Sequence, residues 1–87
     1  MTISFPNPSR FYDPTRRAVR FWGHDSAIEH SFFVTEESLK RLQPNVHLDE
    51  DSLLAAFDLN RDLIQKAAAK VYARGPRGSY DLVVADF

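Results

Sequence analysis

Residues 49–74 read DEDSLLAAFDLNRDLIQKAAAKVYAR, and this stretch decides the fold. At about 100° per residue, Leu53, Phe57, Ile64, Ala67, Ala68 and Val71 fall on one stripe, with Ala56 and Leu63 on its flank. Asp58, Asp62, Gln65, Lys66 and Ala69 take the opposite side. That period predicts one long helix packed by a single face. Asp49 is a suitable N-cap, and Leu48 before it is placed to staple onto Leu53. Arg74-Gly75-Pro76 supplies the stop, since glycine tolerates a left-handed residue and proline cannot continue the helix. Acids come first and Lys66, Lys70 and Arg74 last, which suits the helix dipole. A rod of roughly 37 Å cannot bury its stripe alone, so it calls for a sheet beneath it.

Asn60 interrupts the stripe between Phe57 and Ile64, with Arg61 at its edge. The pair reads as a buried polar anchor. Asn60 serves either a ligand or, as buried amides usually do, a backbone group.

Outward from the helix, the remaining segments predict strands. Ile3 and Phe5 alternate with Thr2 and Ser4, a short first strand ended by Pro6. Asp13-Pro14-Thr15-Arg16 has the chemistry of a type I turn. A second strand covers about residues 17–22 and a third residues 27–34, joined through Gly23-His24-Asp25-Ser26. A symmetric turn there pairs Phe21 with Ile28, Val19 with His30 and Arg20 with Glu29. This arrangement unites Val19, Phe21, Ile28 and Phe32 on an apolar face and pairs opposite charges on the other. Thr35 caps a short helix that stops by Pro44, with Val34 stapled to Leu39. The run Tyr80-Asp81-Leu82-Val83-Val84 is the last strand. The fold class is therefore α+β: a four-stranded antiparallel sheet in the order β-β-β-α-α-β, with one short and one long helix on one face.

Length and composition bound the function. Eighty-seven residues make a single domain, 1–87, close to the size where one core is barely sufficient. Seven Phe, three Tyr and one Trp compensate. A formal charge of −1 gives the whole molecule no strong pull toward nucleic acid or anionic membrane. The chain has no cysteine, which excludes disulfides, thiol catalysis and zinc–thiolate sites. The first residues lack a basic leader, and no run approaches a membrane span. The expectation is a soluble, cytoplasmic protein.

The reverse face of the sheet should carry Trp22, Ala27, Phe33, Val83 and Ala85, mixed with Arg20, Glu29, Ser31 and Asp81. Either the loop at residues 6–16 and the arginine stems cover it, or a partner does. Arg20, Trp22, Glu29, Phe33 and Val83 form the candidate partner surface.

The ionisable residues offer less. His24, Asp25 and Ser26 are adjacent and make a turn rather than a catalytic triad. His30 and His47 find no third metal ligand at sensible spacing, and His30 reads as a core histidine. No catalytic residue, metal ligand or cofactor is expected. Arg16 and Arg17, with Arg10 and Arg20 near them, and Lys66, Lys70, Arg74 and Arg77 make a candidate anion or nucleic-acid patch. The carboxyl end of a helix repels anions, however, so a solvated cationic helix end accounts for the latter group.

Several blocks together resemble a known family. Ile3-Ser4-Phe5-Pro6, Val19-Arg20-Phe21-Trp22, Ala56-Phe57-Asp58-Leu59-Asn60-Arg61 with Ile64 and Ala68, and the closing Asp86-Phe87 are similar, in order and spacing, to the bacterial domain-of-unknown-function family numbered 1488. The resemblance implies a small stand-alone bacterial cytoplasmic protein and transfers no catalytic or binding residue.

The leading functional expectation is a non-enzymatic interaction or regulatory module, homodimeric or bound to a small protein partner, using the face around Trp22 and Phe33. The alternative is a nucleic-acid-associated regulator using the arginine and lysine patch. A small metal-dependent or hydrolytic enzyme comes third, and would need a pocket joining His30, Asn60 and Arg61.

Overall fold

The computed structural model describes residues 3–87; the expectations that fall on Met1 and Thr2 lie outside them. The elements are β1 (Arg10–Asp13), β2 (Ala18–Asp25), β3 (Ile28–Thr35), α1 (Glu36–Leu42), α2 (Glu50–Leu59), α3 (Arg61–Ala73), β4 (Tyr80–Leu82) and a closing 3₁₀ turn, Val84–Asp86. The architecture is α+β, with a four-stranded sheet in the order β1-β2-β3-β4.

The sheet is mixed, not antiparallel as expected. β1, β2 and β3 pair antiparallel, but β4 runs parallel to β3. Parallel neighbours need a crossover, and the whole helical half of the chain supplies it. Ser38 fixes the joint from below, its buried hydroxyl donating to the Leu82 carbonyl at 3.1 Å.

The first strand also differs. Residues 3–5 contribute only an isolated bridge, Ser4 to His24, while the edge strand is Arg10–Asp13, expected to be loop. The Asp13 turn forms as its chemistry requires: Asp13 Oδ1 accepts from the Thr15 and Arg16 amides at 3.0 and 3.1 Å.

The β2–β3 hairpin turns at Ser26-Ala27, where Ser26 has φ of 56°. Phe21 consequently faces Phe32, Val19 faces Val34 and Arg20 faces Phe33. Every partner lies four residues further on than the symmetric turn implied. Four is an even shift, so each side chain keeps its face although each pairing changes. Ile28 moves to the exposed tip, opposite Asp25. Gly23 belongs to the strand rather than the turn. A Cβ there would come within 2.9 Å of Ile3 Cδ1, Phe5 Cε1 and Phe32 Cε1.

The expected long helix is two helices. Asn60 leaves helical geometry at φ −114°, ψ 19°, and caps α2 while preceding α3. The stripe survives the break: Leu53, Ala56, Phe57, Ile64, Ala67, Ala68, Val71 and Tyr72 are all buried. Leu63, placed on its flank, is exposed instead. Asp49 caps α2 through the Ser52 amide at 3.2 Å, and Thr35 caps α1 through the Ser38 amide at 3.1 Å. Leu48 remains exposed, so the expected staple onto Leu53 does not seal.

Between these helices and the sheet lies the core. Val19, Phe21, Phe32, Val34, Tyr80 and Leu82 rise from the strands to meet Leu39 and the stripe. Phe32 sits at the centre, with ring centroids 5.4 Å from Phe21 and 5.0 Å from Tyr80. Tilted and stacked aromatic pairs at this spacing add about 0.5–1.5 kcal/mol each beyond their burial.

A polar seam closes the hairpin end of the core. The Tyr72 hydroxyl donates to Asp25 Oδ2, and His30 Nε2 lies 3.4 Å from the Tyr72 hydroxyl oxygen. His30 packs edge-on against Tyr80 at 5.8 Å. Bonding to the Asp25 carboxylate holds the Tyr72 phenol protonated and pushes its pKa up to about 12.

Candidate interaction face

Strand alternation sends Arg20, Trp22 and Phe33 away from the helices, to the reverse of the sheet. In register, Phe11 on β1 stands beside Arg20, and Asp81 on β4 beside Phe33. No helix packs on this side among the described residues. The centre is nevertheless covered, because arginines lie over the rings. Arg16 Cζ sits 4.2 Å from the Phe33 ring centroid, and Arg20 Cζ lies 5.1 Å from that of Trp22 and 5.7 Å from that of Phe33. Under these two guanidinium groups Phe33 is only 5% exposed. Trp22 remains half-buried. The rim is open, with Phe11 58% and Val83 45% exposed. Arginine covers the centre of this face, but through guanidinium heads rather than the expected stems; the loop contributes Arg16 and, as strand β1, the exposed Phe11.

The two lids differ in charge balance. Arg16 pairs with Asp81 at 3.7 Å and Asp13 at 4.0 Å. Arg20 has no carboxylate partner among the described residues. Its Nη2 donates to Ser31 Oγ at 2.8 Å, and its buried Nε finds no acceptor. Glu29 does not pair with Arg20 as expected; His24 Nε2 holds its Oε2 at 3.0 Å. A guanidinium flanked by Trp and Phe, short of an anion and ringed by apolar surface, has the composition of an interface hot spot. Ala27 and Ala85 are not on the face, the first lying in the hairpin turn and the second in the 3₁₀ turn.

The candidate anion patch does not assemble as one surface of free cations. Arg17 pairs with the buried Glu36 at 3.7 Å, and Arg74 with Asp86 at 3.1 Å. Lys66, Lys70 and Arg77 stay exposed on α3 and the loop after it. Arg10, read with the same arginines, forks onto Asp58 of α2 at 3.0 and 2.9 Å. That fork, with Arg61 alongside at 2.7 Å, holds the Asp58 carboxyl below the usual range.

Asn60 and Arg61 part company. The Asn60 amide donates to the Ala56 carbonyl at 2.9 Å and to Gln43 Oε1 at 3.3 Å, so it serves the end of α2. Arg61 turns to Asp58 and lies over the Phe57 ring at 4.8 Å. Both are half-buried rather than buried, and His30 packs against Tyr72 and Tyr80. Among the described residues no group of three or more His, Asp or Glu is placed to hold a metal ion. A cleft of about 360 Å³ opens between Arg16, Arg17, Thr35, Glu36, Glu37, Lys40 and Leu48. Its deepest carboxylate, Glu36, is already engaged by the Tyr12 hydroxyl and Arg17. No described helix is long and apolar enough to cross a membrane.

The model of the family described as "Protein of unknown function (DUF1488)" matches residues 3–84. The chain belongs to the DUF1488 family. A crystal structure of a DUF1488 protein of unknown function from Shewanella loihica PV-4, at 1.60 Å resolution, is similar to this chain with a TM-score of 0.83. The likeness covers 94% of each chain at 17% sequence identity, which establishes a shared DUF1488 fold. No curated protein matches the chain.

Proposed function

We propose that this DUF1488 protein is a non-enzymatic interaction module that docks a protein partner on the reverse face of its sheet. The observation that carries this reading is Arg20, wedged between Trp22 and Phe33 without a carboxylate, inside a rim of exposed Phe11 and Val83. Burying an arginine with two aromatic rings is how a small interface concentrates its energy. The lids allow the face to persist without a partner, since the two guanidinium groups lie over the rings and shield them from water. Pairing of Arg16, Arg17 and Arg74 with carboxylates weakens the case for nucleic acid, which needs free cations along one track.

Site-specific photo-crosslinking in cells tests it. A photoreactive phenylalanine at Phe11 should give discrete protein adducts, and the same residue at exposed Asp51 on α2 should not. Equal labelling from both positions, or none from Phe11, would overturn the proposal.

A further inference from the structure

The charge layout of the reverse face specifies its occupant, and this step rests on the docking role proposed above. Three cross-strand pairs lie in succession there: Arg20 with Phe33, Trp22 with Ser31, and His24 with Glu29. Among the described residues Arg20 pairs with no carboxylate. Glu29, two rows away, is a carboxylate with a 46% exposed side chain that pairs with His24 at 3.0 Å. The two are about 13 Å apart along the strands, with Trp22 midway between their rows.

We infer that the occupant is a second copy of this chain, related by a two-fold axis that crosses the strands over the Trp22–Ser31 row. Such an axis exchanges the Arg20 row with the His24–Glu29 row. Each copy's Arg20 then reaches the other's Glu29, and the two Trp22 rings meet at the centre. The same patch serves both copies, as an isologous interface requires. Face-to-face sheets stand about 10 Å apart, a gap that one layer of Arg, Trp and Glu side chains from each copy fills. A generic acidic partner would satisfy Arg20 but would set its own charge against Glu29. Only a surface with a cation and an anion in this relative placement satisfies both, and the chain itself carries one.

Sedimentation equilibrium on the purified chain, over a wide concentration range, tests the inference by charge swap. Wild type should show a reversible monomer–dimer equilibrium. Arg20→Glu and Glu29→Arg should each raise the dimer Kd by about tenfold or more, because each sets like charges face to face. The double variant, with the pair reversed, should recover to within about threefold of wild type. Thermal melts confirm that each single variant folds, and the double variant reports on the pair even if one single variant does not. A wild type that stays monomeric throughout, or a double variant no better than the worse single one, would overturn the second copy as occupant. Adducts from Phe11 whose mass is not twice that of the chain would do the same while leaving the docking role standing.

Discussion

Phe32 and Phe33 are neighbours on β3 and both are buried, yet different physics hides them. Phe32 points into a layer of hydrocarbon, against Phe5, Phe21, Tyr72 and Tyr80. Phe33 points the other way and is covered by the guanidinium groups of Arg16 and Arg20. Burial alone does not separate a core position from a capped surface one. The identity of the covering atoms does. A hydrocarbon contact is lost only on unfolding, whereas a guanidinium lid can swing into water and leave the ring for something else.

Truncation should break the symmetry between the two rings most visibly. Phe32→Ala opens a cavity in a close-packed layer and should cost about 3–5 kcal/mol in urea unfolding. Phe33→Ala should cost about 1–2 kcal/mol, because the two arginine stems can settle into the space and water can follow. Equal losses would mean that the reverse face is core in all but position.

Next in size is Gly23→Ala. The added methyl meets Ile3, Phe5 and Phe32 at 2.9 Å on the core side. Overpacking of this kind should cost about 1–3 kcal/mol. The same measurement at Ser31, on the reverse face, should show a smaller change for Ser31→Ala, chiefly a lost contact to Arg20.

The polar seam gives the core side a signature in alkali. Tyr72 is raised from 10.0 to about 12 because its proton is bonded to Asp25. The folded state therefore holds that proton more tightly than the unfolded one. Its stabilising effect is complete below about pH 10 and is lost as pH rises through about 12. Tyr72→Phe should lower stability at neutral pH and flatten the decline between those values in a series of melts.

Smallest should be the Arg10–Asp58 fork, which ties β1 to α2 at a largely exposed site. Arg10→Ala should cost between zero and about 1 kcal/mol, less in high salt. The sign for Asp58 follows from its lowered pKa. The fork's contribution is present at neutral pH and fades as acid protonates the carboxylate.

How much of this was legible from the residues follows the range of the forces involved. Side-chain parity along a strand is local, so Val19 and Phe21 were placed in the core and Arg20 and Trp22 opposite them. The turn that sets the register was not legible, because Gly23 resembles a turn residue. Its actual role, clearance for Phe5 and Phe32, depends on residues distant in the chain. The apolar stripe of residues 53–71 was readable, but a periodic pattern passes smoothly through a single non-helical residue. Asn60 stands out as the polar interruption of the stripe, but the period itself does not call for a break there. Asparagine's preference for helix C-termini is the local signal that could have shown it, and its side-chain amide does donate to the Ala56 carbonyl. The parallel pairing of β4 is set by a crossover of three helices, which no short pattern encodes. At the reverse face the strand residues Arg20, Trp22 and Phe33 follow from parity, whereas Ala27 and Ala85 fall in turns and parity does not set the partner of Arg20. Pairing it with Glu29 followed from the mistaken register.

A separately sealed reverse face should open while the fold stays intact. Trp22 is the only tryptophan in the chain, so acrylamide quenching of its fluorescence reports on that face alone. In dilute protein, replacing Arg16 and Arg20 together by Ala should raise the quenching constant about twofold or more and shift emission to the red, while far-UV circular dichroism stays native. Quenching that does not change, or that rises only as the helices melt, would contradict the account.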